Sequence, residues 1–233
     1  MCKDELIINI EKIPRDDKEI IENIDLLIQH SNYLYTRKDI KDSMARTIID
    51  SVIPFIKKQL ERLKQNINEE ADFIAWLSRN LMELFFILRY IYNSRENYQL
   101  VIKEQFVDLK DIENVLFPNG FDEKDIATPL KQYIEDMSKL WNYLKNYGIE
   151  REELKGHQNA KEYAKCGDVL EEYDRGWKIH SKYIHPTSYL LFGKQSFVFS
   201  DDTRLFFKIM FQYYAAWNLR DLHGMIIASK LNQ

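Results

Sequence analysis

Residues 71–92, ADFIAWLSRNLMELFFILRYIY, decide the fold class of this chain. Apolar side chains recur there at steps of three and four residues, which is the spacing that lines one face of an α-helix. They are Ile74, Leu77, Leu81, Leu84, Leu88 and Ile91. The opposite face is also largely apolar, with Trp76, Phe86, Ile87 and Tyr90. A helix that is apolar on every side normally lies inside a domain, so this stretch predicts a buried central helix.

The composition of the whole chain agrees with a helical fold. Its 233 residues are 45% apolar and include thirteen Phe and fourteen Tyr, but only seven Gly and five Pro. So few turn-forming residues favour long helices over many short strands. A chain of this length can bury one sizeable core. We therefore predict a single all-α domain over residues 1–233, a bundle of about seven helices with a lead-in over 1–15 and a mobile loop over 149–159.

Local signals predict the helices that precede the central one. Asp16 and Asp17 suit the start of a first helix, because acidic side chains are favourable at a helix N-terminus. The polar residues 30–32 are predicted to loosen its end. A second helix is predicted over residues 37–66.

Local signals also place the later helices. Asn66 and Glu69 have the spacing of a capping box for the central helix. Further helices are predicted between residues 98 and 148, and one continuous helix over residues 160–184. Pro186 ends that helix, because the residue before a proline is disfavoured in helical geometry.

The charge distribution limits the classes of partner. The formal net charge of −4 argues against a protein that coats nucleic acids non-specifically. Residues 175–233, however, carry eight Lys/Arg against three Asp. This basic end would suit a ligand that bears phosphate, or it could dock against the acidic half of the chain.

Cysteine content and hydropathy predict the compartment. Cys2 and Cys166 provide neither a disulfide framework nor a paired metal-ligand spacing. The sequence after Met1 has no signal-peptide pattern. The longest uncharged runs, such as residues 209–219, are about half the length of a membrane-spanning helix. We therefore predict a cytoplasmic protein that does not enter the membrane.

One charged pair lies within the predicted central helix. Arg79 and Glu83 are four residues apart, so they lie on one face and can pair. Burying such a pair rarely stabilises a fold relative to apolar residues of the same shape. We interpret the pair as a candidate site, with a structural ion pair as the alternative.

Residues 173–188, YDRGWKIHSKYIHPTS, form the second candidate segment and contain two of the five histidines. If this helix packs beside the central one, Arg79, Glu83, His185 and a tyrosine converge in one polar pocket. Glu83 would then favour the charged imidazole and hold its orientation, an arrangement used for proton transfer. Alternatively, His185 only caps its own helix.

These two segments together resemble a bacterial all-helical family of unknown function. The resemblance rests on the Arg-x-x-x-Glu pair, Arg79 and Glu83, and on the Ser-x-x-x-His-Pro-Thr segment at residues 181–187. It spans residues 66–188. It implies a helical fold and brings no activity with it.

A wider resemblance is to the HEPN superfamily, helical-bundle domains that often dimerise. Many of them are metal-independent ribonucleases of toxin and phage-defence systems that use an Arg and, after four to six residues, a His. Residues 175–180, RGWKIH, match that spacing. The resemblance implies that His180 is an acid or base for RNA cleavage and that Arg175 stabilises charge on the phosphate. The two share a face only if Gly176 distorts the helix or the helix begins after it, because five residue steps turn a regular helix by about 140°.

Our leading prediction is therefore a HEPN-like domain that cleaves or binds RNA without a cofactor or a metal, and that forms a homodimer through apolar helices. Arg175 and His180 are the predicted catalytic residues. The predicted supporting cluster consists of Arg79, Glu83, Ser181, Tyr183 and His185.

Two alternatives stay open. A metal held by Glu83, His180 and His185 is less favoured, because no carboxylate cluster or His-Glu-x-x-His pair accompanies them. The rival function is a non-catalytic ligand-sensing or protein-interaction domain. It is favoured by residues 205–227, which contain more large apolar side chains than one buried face requires.

Overall fold

The computed structural model describes residues 13–94, 96–101, 104, 107–108, 159–185 and 200–231. Six helices have defined bounds there: α1 Asp17–Thr36, α2 Ser43–Gln65, α3 Ala71–Asn93, α4 Ala160–Cys166, α5 Leu170–Ile184 and α6 Asp201–Leu231. Residues 96–101, 104 and 107–108 are also helical. None of the described residues lies in a strand, and the predicted all-α fold is confirmed.

The central helix predicted for residues 71–92 is confirmed as α3. It packs against α2, α4, α5 and α6. Its completely buried side chains include Ile74, Leu77, Leu81, Met82, Phe86 and Leu88. Trp76, which the sequence places among the apolar side chains of this helix, is instead 40% exposed. The helix ends at Asn93, where the sequence predicts it to end.

The first helix starts as predicted but ends later. Asp16 is the N-cap residue of α1. The predicted loosening at residues 30–32 is wrong, because α1 continues to Thr36 and the histidine and serine of this run are buried. Ser31 Oγ donates a hydrogen bond to the Leu27 carbonyl at 2.8 Å. The hydroxyl is therefore satisfied inside the helix without breaking it.

The predicted capping box before α3 is also wrong. Asn66 is the C-cap of α2, and its Nδ2 donates to the Arg62 carbonyl at 2.8 Å. The N-cap position of α3 belongs to Glu70, which makes no capping bond with its side chain. The start of α2 is later than predicted, because the Asp42 carboxylate accepts two backbone N–H groups of the first turn.

The continuous helix predicted over residues 160–184 is interrupted between α4 and α5. A Cβ at Gly167 would lie 2.9 Å from Arg89 Cβ and 3.2 Å from the Tyr90 backbone nitrogen. The chain thus passes α3 at a distance that only glycine permits. Asp168 follows with φ of 59°, a left-handed conformation that ends the helix. This prediction was wrong because tertiary packing against α3 decides the break.

The last helix lies along α3 and also contacts α1 and α2. Its start is stabilised by Ser200 Oγ, which accepts the Thr203 N–H at 3.1 Å. Its buried apolar side chains include Phe207, Phe211, Tyr214, Leu219, Leu222 and Ile226. Among the helices of the described ranges, none combines the length and the apolarity that crossing a membrane requires.

Several predictions fall on residues outside the described ranges. They are the lead-in up to residue 12, the mobile loop over residues 149–158 and most of the helices between residues 98 and 148. The single domain over residues 1–233 stays a prediction.

Candidate functional site

Arg79 is the centre of a polar cluster between α3 and the end of α5. Its Nε donates to Glu83 Oε1 at 2.7 Å, and its Nη1 lies 3.1 Å from His185 Nε2. The Arg79 side chain is 15% exposed and the Glu83 side chain 38% exposed. The charged groups are therefore close to one another and still reachable from solvent.

His185 owes its position to the end of α5. It is the C-cap residue, with an extended backbone at φ −102° and ψ 150°, as expected for a residue that precedes proline. Its N–H donates to the Ser181 carbonyl at 3.4 Å. Leaving the helix in this way places an exposed imidazole beside Arg79.

The contact between Arg79 and His185 has a defined direction. A guanidinium can only donate hydrogen bonds. His185 Nε2 is therefore the acceptor in this contact. A lone pair suited to accept a proton thus lies at the Arg79 guanidinium.

Trp177 of α5 completes the cluster. The Arg79 Cζ lies 3.8 Å from the centroid of the Trp177 ring, a close cation–π contact. Tyr173, one turn earlier, stacks on Trp177 with a centroid distance of 5.2 Å. We name Arg79, Glu83, Trp177 and His185 the Arg79 cluster. The guanidinium lies over the indole ring, and its N–H groups donate to Glu83 and His185.

The two remaining predicted supporting residues are placed differently. Tyr183 is buried and its ring packs edge-on against Phe207, with centroids 4.7 Å apart. Ser181 contributes its carbonyl to the end of α5. The tyrosine near the Arg79 cluster is Tyr173, and burial and the neighbouring Asp174 raise its pKa.

His180 is sealed inside the protein. It has no solvent exposure. Its Nδ1 donates to the Gly176 carbonyl at 2.7 Å, and its Nε2 lies 2.9 Å from Ser78 Oγ. Because Nδ1 carries the proton, Ser78 is the donor to Nε2. Burial lowers the pKa of His180 to about 4, against an opposing contribution from the Gly176 carbonyl, so the ring is neutral at pH 7.

The structure does not bring Arg175 and His180 to a common groove. The Arg175 side chain is 78% exposed and pairs with Glu171 of the same helix. Gly176 lies within regular α5 and does not distort it. A Cβ there would be 2.6 Å from the Tyr214 hydroxyl and 2.8 Å from Met82 Sδ. Glycine thus serves close packing, and Arg175 and His180 keep the angular separation of a regular helix.

The sequence reasoning missed Trp177 and Ser78. Trp177 stands four residues after Tyr173 and four before Ser181, a spacing that places the three on one face of α5. Ser78 is a small polar residue inside an otherwise apolar stretch of α3. Neither signal marks its residue as part of a polar contact until the helix that packs against it is known.

The described residues contain no group of three or more His, Cys, Asp or Glu side chains that could hold a metal ion. Both ring nitrogens of His180 are already hydrogen-bonded. It therefore cannot join Glu83 and His185 as a ligand without breaking those bonds.

Comparison of the chain with family models, with characterised proteins and with solved structures gives no match.

Proposed function

We propose that this protein is a HEPN-like helical domain that acts on RNA without a metal, and that the Arg79 cluster is its phosphodiester site. The observation that favours this site is the distance of 3.1 Å between Arg79 Nη1 and the exposed His185 Nε2. A permanent cation beside an exposed imidazole combines the two functions that RNA cleavage requires, which are charge stabilisation and proton transfer.

Arg79 would bind the phosphate. Its guanidinium presents planar donors that match phosphate oxygens. That guanidinium already lies over the Trp177 ring, with its Cζ 3.8 Å from the ring centroid. A phosphate that accepts from Nη1 replaces His185 as the acceptor, and this exchange frees the imidazole lone pair.

His185 would then act as the general base. Its Nε2 removes the proton of the ribose 2′-hydroxyl, and the 2′-oxygen forms a bond to phosphorus while the bond to the 5′-oxygen breaks. The products are a 2′,3′-cyclic phosphate and a 5′-hydroxyl, whose proton comes from solvent. Arg79 stabilises the charge that develops on the phosphoryl oxygens.

Arg175 and His180 have a smaller part in this proposal than the HEPN resemblance implies. His180 has no solvent exposure and both its nitrogens are engaged. A substrate would have to open the packing between α3, α5 and α6 to reach it. Arg175 lies on the surface outside the Arg79 cluster, where it pairs with Glu171.

The experiment is an RNA cleavage assay in EDTA with the purified chain and assorted RNAs. We expect His185→Ala to lower the rate about 10²–10⁴-fold, the usual contribution of a general base. Arg79→Lys keeps the charge but loses the planar donors, and we expect a loss of about 10²-fold. The control Arg175→Ala should cut at the parent rate.

Three results would contradict this assignment in part or in full. Cleavage that survives His185→Ala but fails in Arg175→Ala would return the catalytic role to the residues of the Arg-x₄-His spacing. RNA that binds but is never cut would leave a binding domain. Absence of both cleavage and binding would overturn the RNA proposal.

A second candidate function is protein interaction through α6. Phe206, Met210, Tyr213 and Trp217 recur on one side of this helix, and each keeps part of its surface accessible. Phe206 is the most open among them at 39%. A second copy of the chain is the partner we expect, because homodimers bury apolar helix faces of this kind.

Light scattering tests this candidate. The parent should be a dimer, and Phe206→Ser should shift it towards the monomer. Ile179→Ser, which changes a similarly exposed side chain of α5, is the matched control. A parent that is monomeric at every concentration would exclude self-association.

A further inference from the structure

Trp76 is an anomaly on the central helix. Large aromatic side chains dominate buried cores, and Phe85 and Phe86 of the same helix are buried. The Trp76 ring is 40% exposed. The centroids of the Phe73 and Trp76 rings are 6.0 Å apart. Phe73 does not cover the exposed part of the Trp76 ring.

Trp76 lies on the same face of α3 as the Arg79 cluster. Trp76 precedes Arg79 by three residues and Glu83 by seven, so the three side chains follow one another along one side of the helix. The exposed indole is therefore about one helical turn from the guanidinium to which we assign the phosphate.

Positive charge also lies beside Trp76 on α2. Arg62 of α2 places its Cζ 5.9 Å from the centroid of the Trp76 ring. Lys58, four residues earlier on α2, is exposed and shares that face with Arg62. Cations thus lie on both helices near the exposed ring, with Arg62 and Lys58 on α2 and Arg79 on α3.

We propose that Trp76 is a stacking platform for an unpaired base, and that the substrate class of this protein is single-stranded RNA. An exposed aromatic ring near cations is the arrangement by which proteins hold single strands, because every base has a face that can stack. A base pair within a duplex offers no such free face. The inference rests on the proposed function, since Arg79 is taken as the neighbouring phosphate site.

The acidic side chains on this face affect how strongly RNA binds. Glu83 is paired with Arg79. Asp72 is exposed one turn before Trp76, and its Oδ1 accepts the Phe73 N–H at 2.8 Å. Asp72 opposes the approach of a phosphate, so stacking on Trp76 supplies a large share of the affinity. Asp72→Asn should accordingly tighten binding.

The test is fluorescence anisotropy with a labelled 2′-O-methyl oligouridylate. This probe lacks the hydroxyl nucleophile, so it reports binding independently of cleavage. We expect Trp76→Leu to weaken binding about tenfold, within the range for loss of one stacked base. Trp76→Tyr keeps a ring and should bind nearly as well as the parent. A duplex of the oligouridylate with its complementary strand should bind more weakly than the single strand.

Tyr92→Leu is the matched control. Tyr92 is 45% exposed, and Arg89 Cζ lies 5.9 Å from its ring centroid, so it repeats the arrangement of Trp76 and Arg62. It is sixteen residues further along α3, which is about 24 Å away. We expect its substitution to leave the affinity unchanged.

The outcomes separate this inference from the proposed function. If Arg79→Ala weakens binding while Trp76→Leu does not, the stacking platform is wrong and the RNA site stands. Equal losses in Trp76→Leu and Tyr92→Leu would also overturn it. A parent that does not bind the probe overturns both. If Trp76→Leu fails to fold, Trp76→Tyr and quenching of tryptophan emission by the probe decide the question, because emission that the probe does not change contradicts stacking.

Discussion

His180 and His185 lie five residues apart in the sequence and have opposite surroundings. His180 is completely buried, with both nitrogens bonded to groups of the protein. His185 is exposed, and its Nε2 lies against the Arg79 guanidinium. The same side chain is therefore part of the core in one place and part of a reactive surface in the other. The difference arises because His180 faces α3 within α5, whereas Pro186 ends the helix at His185.

The largest effect should separate the two histidines by stability. His180→Ala removes two buried hydrogen bonds, leaves Ser78 Oγ without its acceptor and opens a cavity. We expect it to lower the free energy of unfolding by about 3–4 kcal/mol. His185→Ala should lower it by about 0.5 kcal/mol. Urea denaturation followed by circular dichroism measures both losses of stability. Similar losses would mean that the two histidines do not differ in their surroundings.

Acid should destabilise the protein through its buried histidines. Burial lowers the pKa of His180 to about 4, below its ordinary value of 6.5. The unfolded chain then binds the proton first, so this contribution to stability is complete above pH 6.5 and is lost as the pH falls towards 4. The difference corresponds to about 3 kcal/mol.

His30 provides a comparison within the same titration. Its pKa is also lowered to about 4, by burial and by the nearby His223. We expect the parent to lose stability steeply between pH 6.5 and pH 4. His180→Asn and His30→Asn should each flatten part of that loss. A variant with the pH profile of the parent would show that its histidine can be protonated in the folded state.

Gly176→Ala tests how closely α5 packs next to His180. The added methyl group would meet the Tyr214 hydroxyl and Met82 Sδ at distances that require both to move. We expect a loss of about 1–3 kcal/mol from overpacking, despite the better helix propensity of alanine. Gly224→Ala, where the nearest atoms lie at 3.6 Å, should stabilise the protein by up to about 1 kcal/mol, because only the gain in helix propensity remains. Thermal melting compares the two, and a stabilised Gly176→Ala would refute close packing at this point.

Arg79→Ala should cost less stability than the substitutions at buried positions. The sequence alone predicts that this change leaves the Glu83 carboxylate buried without a partner. That would lower the free energy of unfolding by about 3–5 kcal/mol. Glu83 is 38% exposed, however, and can be solvated by water once Arg79 is gone. We therefore expect a loss of about 1 kcal/mol by denaturant melts. A much larger loss would identify the Arg79 cluster as a structural element.

Part of the candidate site was predictable from the sequence. The i, i+4 spacing joins Arg79 to Glu83, and the proline after His185 places that residue at a helix end. Trp177 was missed, and Tyr173, which stacks on Trp177 beside the cluster, was not identified as the nearby tyrosine. Their contacts join α5 to α3 and depend on how the two helices pack.

The sequence by itself determined the helical fold class and the buried central helix, because both follow from the period of apolar side chains and from local turn and capping residues. Only the tertiary structure decided which polar groups are sealed and which are open. Helical spacing fixes the angle between two side chains on one helix, but their burial depends on the helix that packs against them. For that reason His180 and Ser78, 102 residues apart in sequence, are closed inside the protein, while Arg79 and His185, 106 residues apart, meet at its surface.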